Sequence, residues 1–325
     1  MRKIQITILF LLVLFGSSIF ANKTPGNSKP IKYSSNNNSA DTMKANDSVK
    51  IHRNTISVNG IDIFYFDTMT EECPVILCLH GRWGRAETWV DFIQHYGNRF
   101  RIIAPDQRGH GLSGKPLSKY TADEMASDMI ALLDSLNIDS IILVGHSMGG
   151  YIAGYLSAKY PKYVKALAIL DKSAAGPEKP NTQPLEMIPA VDPVTKDWPL
   201  PFSSLKEARD YIKNAMESEL SYQYFMNSLT EDKNGFHMMF SSQAIAANIA
   251  YYENWFHLLP EIKCPVMLLR SSSQEAVTDE DFAKMQSLLP NCMAFEVSLP
   301  DHNVHLSNKQ EFYRYFDEFL IKRKF

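Results

Sequence analysis

The stretch Ser140-Ile141-Ile142-Leu143-Val144-Gly145-His146-Ser147-Met148-Gly149-Gly150 runs an apolar segment straight into a serine flanked by glycines. The apolar part reads as a buried strand, and the small residues beyond it can open a helix. A serine lifted on a sharp strand-to-helix turn sits in a strained backbone conformation. The neighbours two before and two after, Gly145 and Gly149, must therefore lack side chains that would clash. Such a turn pushes the Ser147 hydroxyl out of the top of a sheet. It also aims the first N–H groups of the following helix at a reacting carbonyl, where donors and the helix's positive end stabilise developing negative charge. The reading is a nucleophile elbow, with Ser147 as nucleophile and the helix Tyr151 to Tyr160 behind it.

Working outward, strands alternate with helices. Thr55 to Val58, Asn59-Gly60 and Ile61 to Phe66 read as a hairpin with a type I′ turn. Val75 to Leu79 is a short apolar strand of the fully buried kind. A helix around Arg85 to Tyr96 and a strand Arg101 to Ala104 come next. Thr121 then caps a helix in which Met125, Met129, Leu132, Leu133 and Leu136 recur at helical spacing. After the Ser147 elbow, Val164 to Leu170 is another buried strand. This is the pattern of an α/β, doubly wound, mostly parallel sheet, with reactive groups expected at the carboxyl ends of strands.

Between residues 172 and 259 the alternation stops. A Pro-rich opening gives way to helix-like runs such as Leu205 to Glu219 and Gln243 to Tyr252, rich in Met, Phe, Tyr and Trp. The expectation is an inserted helical lid that closes over the site, its aromatic residues mostly holding its own helices together. Sheet character returns at Pro265 to Arg270, followed by a helix around Asp279 to Leu289, a strand Ala294 to Val297 and a last helix from Lys309. The hydrolase core is thus expected in two parts, 51–171 and 260–325.

The 325 residues are 45% hydrophobic and 21% charged, ordinary globular composition with length enough for one large core and an insertion. A net charge of -3, with no basic stripe, sets nucleic acid aside as a partner and leaves a small-molecule substrate. Arg2 and Lys3, the apolar run Ile4 to Phe15, and the small residues up to Ala21 read as a signal peptide over 1–21. Export to the periplasm or medium is the expectation, with an uncleaved N-terminal segment as the one route to membrane contact. Residues 22–50, rich in Asn, Ser and Lys, read as a disordered linker. Cys73, Cys78, Cys264 and Cys292 lack metal-ligand spacing and read mainly as small buried residues, with their pairing open.

An activated serine needs a base and an orienting acid, in the chain order Ser, acid, His. His302, in Pro300-Asp301-His302-Asn303-Val304-His305 just after a strand, is the base. His305 sits beside Leu306 and is expected to pack or to make a structural hydrogen bond; elbow geometry turns His146 away from the reaction centre. His95, His237 and His257 lie on helix-like stretches and carry no role. Two acids compete. Asp171 abuts the end of its strand and has short, stiff support, whereas Glu275 sits in the serine-rich loop Ser271-Ser272-Ser273-Gln274-Glu275. Orientation of the histidine favours Asp171, and Glu275 stays open. A second oxyanion donor is expected after the strand Val75 to Leu79, where Gly81 in His80-Gly81-Arg82-Trp83-Gly84 lets the backbone approach, so that the N–H of Arg82 joins that of Met148.

Together with Asp106-Gln107-Arg108-Gly109-His110-Gly111-Leu112-Ser113, these motifs resemble the α/β-hydrolase superfamily, from about Val58 to Phe319 apart from the insertion. The resemblance is to its small serine esterases and related hydrolases, which work without cofactor or metal. It implies an acid in a Gly-x-x-Asp pattern after the strand Val266 to Arg270, where this chain has Ser271-Ser272-Ser273-Gln274. Some members carry the acid one strand earlier, which corresponds to Asp171. The Asp106 and Arg108 segment is largely structural in the family and is assigned no chemistry. A serine at the elbow argues against relatives resembling dehalogenases and epoxide hydrolases, which place an aspartate there. The implied activity is cleavage of a small ester through an acyl-enzyme. Carbon–carbon hydrolases, lactonases and perhydrolases use the same triad, and a receptor-like binding protein with little turnover is the alternative of another class.

Overall fold

Asn59 and Gly60 turn the chain with φ of 50° and 76°, the two positive values that a type I′ turn requires. They join β1 (His52–Val58) to β2 (Ile61–Asp67) in antiparallel register, Val58 opposite Ile61. The computed structural model describes residues 48–325. The expected signal peptide at 1–21 and most of the linker at 22–50 therefore lie outside the described residues.

Beyond the hairpin come β3 (Val75–Leu79), α1 (Val90–Tyr96), β4 (Arg101–Pro105), α2 (Ala122–Ser135), β5 (Ile141–His146), α3 (Met148–Lys159) and β6 (Val164–Leu170). After a long excursion the sheet resumes with β9 (Val266–Ser271), α7 (Asp279–Leu288), β10 (Cys292–Val297), α8 (Val304–Ser307) and α9 (Lys309–Arg323). Eight strands form one sheet in the order β1-β2-β4-β3-β5-β6-β9-β10, parallel from β4 to β10.

Successive strand residues face opposite ways. Ile76, Cys78, Ile142 and Val144 pack with Phe92 and Phe316 of α1 and α9, while Leu77, Leu79, Ile141 and Leu143 pack with Met129, Ile152 and Leu156 of α2 and α3. Every one of these strand residues is buried, which is why the central strands are apolar runs and not alternating ones. Burying one such Leu or Ile side chain contributes about 1.5–3 kcal/mol. Thr121 starts α2 with a reciprocal cap: its hydroxyl accepts from Glu124 N at 3.2 Å, and its own N–H donates to the Glu124 carboxylate at 3.1 Å.

The segment between β6 and β9 contains α4 (Leu205–Ala215), α5 (Glu219–Met226) and α6 (Ser242–Ala250), and it is not wholly helical. A two-stranded hairpin, β7 (Leu229–Asp232) with β8 (Gly235–Met238), lies between α5 and α6. The run expected as one helix from Leu205 to Glu219 breaks at Met216, and Ser218 caps α5 by accepting from Ser221 N at 3.0 Å. Among the described residues no helix is long and apolar enough to cross a membrane. All four cysteines are free; only Cys78 is fully buried, the others being half-buried.

Candidate active site

Ser147 has φ 52° and ψ −116°, between the last residue of β5 and the first of α3. A Cβ on Gly145 would lie 2.2 Å from Gly149 O, and one on Gly149 would lie 2.2 Å from Leu79 O, so neither position admits a side chain. Gly81 closes on the elbow from β3: a Cβ there would stand 3.2 Å from Ser147 Cβ. The loop that carries Arg82 and the residue that carries the hydroxyl are thus in contact through bare backbone.

That loop is braced from below. His80 donates from Nδ1 to Gly81 O at 2.8 Å and accepts at Nε2 from Gln107 N at 2.9 Å, while the Gln107 amide donates to His80 O at 2.7 Å. Burial pushes the His80 imidazole down to about 4, which keeps it neutral and in this tautomer near pH 7. Asp106 accepts from Ala86 N at 2.6 Å and Leu112 N at 2.8 Å, and Arg108 grips the buried Asp128 at 2.5 and 2.7 Å. Asp106 and Arg108 spend their bonding on loop shape, as expected of a structural segment.

Asp171 and His302 come together. His302 Nδ1 lies 2.8 Å from Asp171 Oδ2, and because an ionised carboxylate only accepts, the imidazole is the donor and keeps its lone pair on Nε2. Asp171 Oδ1 accepts from Ser271 N at 2.9 Å, and the carboxylate is 1% exposed. This contact crosses from β6 to β9, which are neighbours with Leu170 opposite Leu269. Ser147 N donates to Leu170 O at 3.0 Å, so serine and aspartate stand on adjacent strand ends. Glu275 is exposed in the loop after β9.

His146 points away from the strand end and under His302, its Nε2 donating to the His302 carbonyl at 2.8 Å. Its role is to hold the backbone of that loop. His305 packs, as expected, stacked on Trp89 with ring centroids 4.5 Å apart. His237 sits on β8 and not on a helix, its Nε2 3.1 Å from Asp232.

The segment between β6 and β9 meets the Arg82 loop directly. Asn248 of α6 accepts from Arg82 Nη2 at 2.9 Å, Asp192 accepts from Trp83 Nε1 at 3.0 Å, and Ser228 donates to Trp83 O at 2.6 Å. Lys172 follows Asp171 at the same strand end, its Nζ 4.0 Å from the Tyr252 ring centroid. Neither Asn248 nor Lys172 was singled out from sequence: Asn248 carries no local signal, and the signal for Lys172 was its place beside a strand-end acid. No cluster of metal-ligating side chains occurs among the described residues.

An elbow serine, an aspartate-bound histidine and a glycine-lined loop at the carboxyl ends of a parallel sheet define a class of hydrolytic sites. The chain belongs to the α/β-hydrolase fold family, whose sequence model matches residues 74–309. It is 27% identical over 245 residues to 2-(acetamidomethylene)succinate hydrolase of Mesorhizobium japonicum, covering 71% of this chain and 82% of that one. It is 39% identical over 126 residues to epoxide hydrolase 2 of Siraitia grosvenorii, covering 37% of this chain and 39% of that one. A crystal structure of E-2-(acetamidomethylene)succinate hydrolase superposes with a TM-score of 0.67 at 22% identity, covering 83% of this chain and 99% of that one, a likeness of fold. Family and relatives support hydrolase activity.

Proposed function

We propose that the protein is a serine hydrolase cleaving a small carboxylic ester through an acyl-enzyme, with Ser147 as nucleophile, His302 as base and Asp171 as the orienting acid. The observation that carries the reading is the 2.8 Å Asp171–His302 contact beside an elbow serine at φ 52°. His302 Nε2 takes the Ser147 proton as Oγ attacks the ester carbonyl, and the N–H groups of Arg82 and Met148 receive the oxyanion. The imidazolium then protonates the departing alcohol. Water, deprotonated by the same nitrogen, attacks the acyl-enzyme and releases the acid and Ser147. The match to an epoxide hydrolase carries no epoxide chemistry here, because the elbow residue is a serine. The relative named for 2-(acetamidomethylene)succinate supports hydrolysis at an acyl or related carbon, and the segment 172–259 is the cap over that site.

The test is hydrolysis of 4-nitrophenyl esters of increasing acyl length by wild type, Ser147→Ala, Asp171→Asn and Glu275→Gln. Ser147→Ala abolishes turnover, Asp171→Asn lowers kcat by about 10³–10⁴ because the histidine takes the wrong tautomer, and Glu275→Gln leaves it within about twofold. A large loss with Glu275→Gln and none with Asp171→Asn would overturn the assignment of the acid. Activity equal in wild type and Ser147→Ala would overturn the nucleophile.

A further inference from the structure

Two cations crowd the ends of β3 and β6 beside the elbow, and no carboxylate lies within ion-pair distance of either among the described residues. Arg82 is one residue past the glycine that touches Ser147, and its guanidinium donates from Nε and Nη2 to the single oxygen of Asn248 at 3.3 and 2.9 Å. Asn248 is itself held in place, its amide donating to Tyr120 O at 3.0 Å. Lys172 stands beside the start of α3: its Cβ lies 3.1 Å from where a Gly150 side chain would begin, and its ammonium sits 4.0 Å from the centroid of the Tyr252 ring.

The nearby acids are committed elsewhere. Asp171 serves His302 and Ser271 N, and Asp192 serves Trp83 Nε1 and the backbone and hydroxyl of Thr195. The Tyr252 hydroxyl donates to the carbonyls of Ser173 and Ala175, which fixes the ring under Lys172 and spends its one proton. Desolvation, followed by repulsion from Arg82, brings the Lys172 ammonium down to about 7; burial brings Arg82 down to about 10. Yet Lys172 keeps partial exposure, so a ligand from solvent can reach it. Like charges enclosed together without a counter-ion are unfavourable unless a ligand supplies the opposite charge. A planar carboxylate matches both a guanidinium fork and an ammonium point charge.

We propose that Lys172 and the side chain of Arg82 bind a carboxylate carried by the substrate, so that the preferred esters are half-esters of dicarboxylic acids. This rests on the serine-hydrolase reading above and adds to it the charge of the acyl group. Arg82 then acts twice, through its N–H on the oxyanion and through its guanidinium on the remote carboxylate.

The test compares the 4-nitrophenyl half-esters of glutarate and adipate with their methyl-capped diesters, each corrected with Ser147→Ala, and adds calorimetric binding of glutarate and adipate to Ser147→Ala. Wild type should favour the free acids by at least about tenfold in kcat/KM. Lys172→Met should erase that preference through KM while leaving the capped esters within about threefold. Adding Lys172→Met or Arg82→Met to Ser147→Ala should weaken dicarboxylate binding about tenfold or more. Ser147-dependent hydrolysis of free and capped esters at equal kcat/KM overturns the anion site and leaves the hydrolase reading standing. Dicarboxylate binding that depends on Lys172, with no Ser147-dependent hydrolysis of any ester, overturns the ester reading and keeps the site. If Lys172→Met does not fold, the wild-type preference and the Arg82→Met binding arm decide.

Discussion

Asp171 holds a φ of 48°, a left-handed conformation that costs an L-residue roughly 1–2 kcal/mol. Three bonds over-determine it: its N–H to Leu269 O at 2.7 Å, Oδ1 from Ser271 N, and Oδ2 from His302. The strain is therefore held by the β6–β9 junction, and the carboxylate is aimed before any substrate arrives. Lys172, the next residue, inherits that placement. Its ammonium is faced by Arg82 from the β3 loop, by Asp171 on its own strand end and by Tyr252 from the segment between β6 and β9. Arg82, at about 10, keeps its charge through neutral pH, and burial pushes the Tyr252 phenol up, so it stays neutral. Lys172 is charged below about 7 and loses its proton above it. An anionic acyl group binds the charged form, so the preference for half-esters over methyl-capped esters should be largest near pH 6 and shrink steadily toward pH 9. Measuring that ratio across the range checks it, because effects of pH common to the two substrates cancel. A ratio constant from pH 6 to 9 would separate Lys172 from substrate charge.

At the scale of elements, the site depends on how closely α3, β3 and β5 approach one another. A Cβ at Gly149 would come 2.2 Å from Leu79 O and 2.8 Å from His80 O, the backbone that leads into the Arg82 loop. Gly149→Ala should move that loop off Ser147 and lower kcat/KM on any ester by at least about 100-fold, the size of effect seen for misplacements near 1 Å. Thermal unfolding of the same variant should fall by several degrees, at about 2–4 °C per kcal/mol for a domain of this size. The elements that frame this junction were legible because each carries its own local signal. Val75–Leu79 and Val164–Leu170 are strands buried along nearly their whole length, apolar throughout except for the exposed Lys165, and both coincide with the structure to the residue. The hairpin β7–β8 was not legible: its strands are four residues each, half-exposed and of mixed polarity, and only Asn234-Gly235 marks the turn. The contact of Asp171 with His302 is of another kind. It depends on β6 and β9 being neighbours although 95 residues of chain separate Leu170 from Val266, an adjacency that lies in the sheet order and not in any spacing. Asn248 was invisible for the same reason, since what marks it is its contact with Arg82 in space, whereas Lys172 had only its place beside Asp171 to mark it.

Over the whole molecule, four buried histidines gather where the sheet's carboxyl ends meet its two apolar layers. His80 and His110 lie edge to face at 5.1 Å, and His146 and His305 lie 4.7 Å apart. Burial holds His80 down to about 4 and His305 to about 3, and holds His110 and His146 well below the usual imidazole range. In the unfolded chain each would protonate near 6.5. Between about pH 6.5 and 4 the unfolded state thus binds more protons than the folded one, and stability falls as pH falls through that window. His80 alone accounts for about 3 kcal/mol between pH 6.5 and 4, a large part of the 5–15 kcal/mol typical of a domain. Circular dichroism melts at pH 7, 6, 5 and 4 should show a Tm that drops progressively more steeply, with acid unfolding complete near pH 4. His305 supplies the internal check. Its ring stacks on Trp89, and neither nitrogen has a hydrogen-bond partner among the described residues. His305→Phe keeps an aromatic face on Trp89 and removes one titrating group, so it should melt at or above the wild-type temperature at pH 7 and lose stability with acid more shallowly, by about one proton. An unchanged acid slope in that variant would show that His305 is already protonated, and so solvated, in the folded protein.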